Sequence, residues 1–187
     1  MPAPDPRDLG PLAALAGTWE GDRGLDVSFH NADGVIGDTP YRERVVFNPF
    51  GPVDNGAQSL YGLDYRMAAW RGAEVDPFHT EVGYWLWDAA AGQVMRCFMV
   101  PRGSTVLAGG TTTADARSFT MTAEVGSETY GVLSNRYLAE KARTTRYEVT
   151  VTIGDGEWSY EETTWVDVAR LGKVMAHTDR NTLRRVE

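Results

Sequence analysis

The sequence has one cysteine, Cys97, and three histidines, His30, His79 and His177, none of them close to another in the chain. A single thiol forms no intrachain disulfide, so the fold does not rest on an oxidising compartment. Cys-x-x-Cys, zinc-finger and His-Glu-x-x-His spacings are absent, and so are a Gly-x-Ser-x-Gly elbow, a Walker loop and a dinucleotide-binding glycine fingerprint. These absences remove support for hydrolase and nucleotide chemistry. Positive charge is also scarce: 18 Lys and Arg stand against 26 Asp and Glu, a formal net charge of −8. Such a surface repels phosphate backbones and anionic lipid heads, which argues against nucleic-acid and membrane partners. No stretch approaches the ~20 apolar residues that span a bilayer, and Met1 to Asp8 form neither a basic nor an apolar leader. The expectation is a soluble cytoplasmic protein that acts on small molecules.

What the chain does have is 187 residues, 42% of them apolar and 11% aromatic, enough for one domain with its own core. Pro2, Pro4 and Pro6 predict a flexible, extended lead-in over residues 1–9, and the rest, 10–187, reads as a single domain. Gly10-Pro11 ahead of Leu12 to Ala16 predicts a short helix ended by Gly17. From Thr18 onward, β-rich runs closed by turn residues predict strands at 18–29, 41–48, 58–70, 78–88, 93–100, 105–109, 118–125, 144–153, 157–168 and 174–186. Leu138 to Lys141 reads as a helical turn between them. Antiparallel strands with little helix to cover them must hide their edges, so the fold class is all-β. The expected form is an antiparallel up-and-down β-barrel of about ten strands with a short N-terminal helix. A sandwich is the alternative, but a closed sheet of this size encloses room for one small ligand.

The period of two sorts the candidate residues by face. His79, Glu81, Gly83, Trp85 and Trp87 share one face of their strand, where His79 either lines a pocket or bonds to Glu81. Met95, Cys97 and Met99 lie opposite Arg96, Phe98 and Val100; the sulfurs suit a soft metal or adaptable packing. His177, Asp179 and Asn181 share a face of the last strand, which suits an imidazole held by a carboxylate as a ligand, or an ordinary polar strand. A carrier of a fatty acid or other apolar molecule needs an inward cation, for which Arg66, Arg96 and Arg146 are candidates.

Four segments in order carry a family likeness: Leu15-Ala16-Gly17-Thr18-Trp19-Glu20-Gly21-Asp22-Arg23-Gly24, then Phe78-His79-Thr80-Glu81-Val82-Gly83-Tyr84, then Val100-Pro101-Arg102-Gly103 leading to Gly109, and the last strand with His177. Over roughly Leu12 to Val186 the chain resembles the nitrobindin family of haem-binding β-barrels. The resemblance implies haem b near one open end of the barrel, with His177 bound to its iron. It places Lys141 beside the cofactor and His79, the catalytic candidate, near its other face; the strand period, not the resemblance, puts Asp179 on the face of His177 and so beside the cofactor. It also implies nitric-oxide binding, or isomerisation of peroxynitrite to nitrate at ferric haem, in a monomer or a homodimer. Three features depart from the family pattern. One extra residue separates Gly21 from Gly24, Val27 or Ser28 stands in the region of the family threonine, and the run Thr178-Asp179-Arg180-Asn181-Thr182 is polar where the family is apolar. Lys141 matches the family lysine only with one residue inserted.

Overall fold

Alternation of inward and outward side chains is sustained through eleven strands among the described residues, and the sheet closes on itself. The computed structural model describes residues 3–186; Met1 and Pro2 of the expected lead-in, and Glu187, lie outside it. The strands are β1 (Gly17–His30), β2 (Val35–Asp54), β3 (Ser59–Arg71), β4 (His79–Asp88), β5 (Gln93–Val100), β6 (Ser104–Thr111), β7 (Ser118–Val125), β8 (Gly131–Ser134), β9 (Ala142–Ile153), β10 (Glu157–Val168) and β11 (Lys173–Arg185). A short helix, α1 (Arg136–Lys141), precedes β9. Neighbouring strands are antiparallel except for β7 and β8, and β1 pairs with both β2 and β11 to close the ring. The all-β barrel is thus as expected, with one strand more than the sequence suggests. The addition is β8. Because β6 meets β7 at a single pair, Gly109 with Thr122, the four-residue β8 fills the gap, antiparallel to β6 and parallel to β7.

β2 extends well past the expected Tyr41 to Asn48 because the prolines that read as its ends lie inside it. Pro40 pairs only with β1 and Pro49 only with β3, so each missing N–H falls where the strand has a partner on one side alone. The extra residue of the opening motif is absorbed in β1. Gly21 faces Glu43 and Gly24 faces Tyr41, so three steps on β1 match two on β2, which is a β-bulge. Glycine is required there, since a Cβ on Gly24 would lie 2.4 Å from the Tyr41 ring.

One end of the barrel is closed. The N-terminal 3-10 helix spans Pro6–Leu15 and lays Leu9, Leu12 and Leu15 against Trp19, Phe47, Leu63, Trp85, Trp87, Trp158 and Leu183. Gly10, at φ 54° and ψ −132°, kinks this segment, so the expected helix from Pro11 is its second part. The first part is added by the structure: the Asp5 carboxylate caps it by accepting from the Arg7 N–H at 2.9 Å, and Leu9 is buried in the floor. Phe47, Trp85 and Trp158 meet edge to face with ring centres 5.6–6.3 Å apart. Gly83 of β4 lies so close to β5 that a Cβ would sit 1.9 Å from the Cys97 carbonyl oxygen. Gly83→Ala should therefore cost about 3 kcal/mol in urea-unfolding free energy, because backbone rather than a flexible side chain must move.

Candidate functional site

Above the aromatic floor the inward side chains change character in two steps. Along β11 they run from Leu183 through Asn181, Asp179 and His177 to Met175, and along β10 from Trp158 through Tyr160, Glu162 and Thr164 to Val166. A polar belt crosses the middle of the barrel, and a cavity of about 980 Å³ opens above and within it.

The belt holds two buried clusters. In the first, Arg96 donates to Glu81 at 2.5 Å and to Glu162 at 2.6 Å, and also to the Tyr147 hydroxyl. Tyr65 and Tyr147 donate to the same two carboxylates, each at 2.7 Å. Burial alone would raise the Glu81 pKa, but Arg96 and His79 outweigh it and hold the group at about 2. Glu162 moves the other way, since burial, helped by the Glu81 charge, exceeds what the shared guanidinium returns. In the second cluster, Glu43 accepts from Tyr160 at 2.8 Å and from Asn181 at 2.9 Å, and Tyr41 and Tyr160 hydroxyls are 2.7 Å apart. Burial pushes the Glu43 carboxyl up to about 7 despite those two donors.

His177 lies on the cavity wall beside these clusters. Its Nε2 is 2.6 Å from Asp26 Oδ1 and 3.1 Å from Asp179 Oδ2, and Ser28 donates to the other Asp26 oxygen at 2.9 Å. Burial favours the neutral ring, but the two carboxylates outweigh it and raise the imidazole pKa to about 10. His79 lies 3.3 Å from Glu81 and lines the same cavity, so both readings of that residue hold at once. Lys141 lines the mouth at the end of α1, with Arg71, Arg102 and Arg170. Between this cationic rim and the belt the wall is apolar, with Phe29, Met67, Phe78, Val100, Val166 and Met175.

Two alternatives lose their geometry. Met99 is exposed and Cys97 lies with it on the outer face of β5, opposite the inward Arg96, so the sulfurs do not build a buried soft-metal site. Arg66 is on the outside, and Arg146 lies over Trp165 and pairs with Glu148, which removes both as anchors for a fatty acid. Arg96 is inside, but two carboxylates already engage it. Sequence reasoning places His177 with Asp179 and His79 with Glu81, and the structure brings each pair together. It misses Asp26, Glu43 and Glu162, whose partners lie on other strands.

The family model of the THAP4-like, heme-binding beta-barrel domain matches residues 8–185. This chain belongs to that family. The likeness to nitrobindins read from the sequence is thereby met, and the chain is a ligand-binding barrel of a haem-binding family. Among solved structures, that of Rv2717c from M. tuberculosis is similar in fold, with a TM-score of 0.69 at 19% identity over 100% of both chains. A beta-barrel-like protein of a domain of unknown function, DUF1849, from Brucella abortus aligns at a TM-score of 0.29 with 11% identity, over 91% of this chain and 97% of that one, too distant to support an argument. Comparison with curated proteins gives no match.

Haem can be tested against this cavity part by part. The volume, the apolar ring of the wall and the four cations at the rim suit a flat macrocycle bearing carboxylates. The proposed iron ligand fits less well: Asp26 Oδ1 and Asp179 Oδ2 stand 2.6 and 3.1 Å from Nε2 of His177, so a haem iron at that nitrogen would have to displace both carboxylates. Nor do the inner walls supply an apolar seat around that nitrogen, since Asp26, Asp179 and Glu162 stand there.

Proposed function

We propose that the protein binds haem, or a ligand of similar build, in the outer half of its barrel. The observation behind this reading is the succession of a cationic rim (Arg71, Arg102, Lys141, Arg170), an apolar wall and a polar belt along one cavity. The rim cations pair with the ligand carboxylates, and Phe29, Phe78, Val166 and Met175 cover its apolar body. Below it, Tyr41, Tyr160 and Glu43 form a hydrogen-bonded chain that can hold or release a proton near the ligand. The nitric-oxide and peroxynitrite chemistry of nitrobindins requires a nitrogen on iron. In this chain Asp26 and Asp179 stand beside the candidate nitrogen where a haem iron would sit, so His177 enters here as a wall residue that pairs with both.

Hemin titration followed by absorbance tests the reading. One equivalent of hemin is expected per chain, and the double variant Lys141→Ala, Arg170→Ala should bind about tenfold more weakly, at roughly 0.5–1 kcal/mol for each exposed ion pair lost. His177→Ala should leave the spectrum of bound hemin unchanged. Loss of histidine-type bands in that variant would instead restore His177 as the iron ligand, and with it the peroxynitrite reading. Absence of hemin uptake by the wild-type chain would overturn the proposal.

A further inference from the structure

The register of β1 and β11 sets Asp26 directly opposite Asp179, with both side chains on the cavity wall. Like charges so placed across two strands repel each other. Asp26 is only 5% exposed, so water does little to relieve it. His177, two residues from Asp179 on the same face, brings its Nε2 between the two carboxylates. A proton on that nitrogen supplies one positive charge against two negative ones, and the buried guanidinium of Arg96 is engaged elsewhere, by Glu81 and Glu162. The cluster is left with a surplus negative charge. A doubly charged ion in place of the proton would bring two carboxylates and a neutral imidazole to balance.

The distances suit that exchange. Metal ions of the first transition row stand about 2.0–2.2 Å from imidazole nitrogen and carboxylate oxygen, which puts neighbouring donor atoms about 3.0–3.4 Å apart. His177 Nε2 and Asp179 Oδ2 are already 3.1 Å apart, and the contact to Asp26 Oδ1, at 2.6 Å, needs to open by only about half an ångström. All three donor atoms lie within 4.8 Å of one another. Ser28 holds the second oxygen of Asp26 at 2.9 Å, the outer contact that fixes a ligating carboxylate. The remaining coordination directions face the cavity, where water or a ligand atom can complete the sphere.

We propose that Asp26, His177 and Asp179 form a site for one divalent first-row transition-metal ion that is not carried in a porphyrin. The donor set selects the class: two carboxylates disfavour soft Cu(I), and the imidazole disfavours Mg²⁺ and Ca²⁺ relative to Mn²⁺, Fe²⁺, Co²⁺ and Zn²⁺. The site stands apart from haem binding, since it uses groups that the macrocycle does not need.

The test is titration of chelator-treated, desalted protein with Mn²⁺, following loss of the free-ion electron paramagnetic resonance signal. Saturation at one ion per chain is expected, with affinity reduced at least tenfold in Asp179→Asn and in His177→Ala, and about tenfold in Ser28→Ala. Co²⁺ in the wild-type chain should give visible bands that are lost in His177→Ala. Asp33→Asn, at the cavity mouth, should bind as wild type does. Because Asp26 is buried, Asp26→Asn is compared only if its circular dichroism matches wild type; Asp179, more exposed, carries the test otherwise. Failure to take up Mn²⁺ or Co²⁺ at millimolar concentration, or uptake unchanged by Asp179→Asn and His177→Ala, would overturn the proposal. Hemin titration in the presence of chelator reads haem binding separately, so either result can fail alone.

Discussion

Arg96→Met should lower the unfolding free energy by about 4 kcal/mol at pH 7, which urea denaturation would measure. The guanidinium is 7% exposed and bonds to Glu81, Glu162 and the Tyr147 hydroxyl, so removing it strands two carboxylates inside the barrel. Most of the loss comes from those stranded groups, because removing one partner of a buried pair costs more than the pair contributes. The triple variant Arg96→Met, Glu81→Gln, Glu162→Gln should consequently recover most of the stability. Its Gln side chains still accept from Tyr65 and Tyr147 without a charge to solvate. Lowering the pH should rescue the single variant in part, since protonation of the stranded carboxylates removes the same penalty. Should the single variant lose less than about 1 kcal/mol, water must reach the belt, and the cluster would be a solvated wall of the cavity.

The belt shows which parts of this protein can be read along one strand and which cannot. Alternation fixes that His79, Glu81, Trp85 and Trp87 share a face, and likewise His177, Asp179 and Asn181, because those relations lie within nine and five residues of one chain segment. The closed sheet is legible from the same pattern, since strands without covering helices have few other ways to hide their edges. The chemistry of the interior is set across strands instead. Arg96 meets Glu162 and Asp26 meets His177 over separations of 66 and 151 residues, through registers that no local pattern specifies. The belt is hidden for this reason: Asp26, Glu43 and Glu162 each read as an ordinary polar residue on a half-exposed strand. The polar run after His177, read as a departure from the family pattern, was the one local sign, and two of its residues, Asp179 and Asn181, do turn inward. β8 escaped because four residues beside a loop carry too little pattern to be read as a strand.

Glu43→Gln should make the protein more stable at pH 8 by about 3 kcal/mol while leaving it nearly unchanged at pH 4. The direction follows from the proton balance. Burial raises the folded-state pKa of Glu43 from 4.5 to about 7. Below pH 4.5 the group is protonated in both states and ionisation plays no part. As the pH rises from there the unfolded chain releases the proton while the folded chain keeps it, so stability falls, and the loss is complete once the pH passes about 7. Gln stands in for the neutral acid, since its carbonyl accepts from Tyr160 and Asn181 as the protonated carboxyl does. Its amide then takes the place of the acid hydroxyl on the cavity side. The variant should therefore lose the downward slope of stability between pH 5 and 7, as measured by urea denaturation at a series of pH values. A variant less stable than wild type at pH 8 would mean that Tyr160 and Asn181 suffice to hold an ionised Glu43. In that case the Tyr41–Tyr160–Glu43 chain would donate toward a fixed negative charge, with no proton to exchange with a ligand near neutral pH.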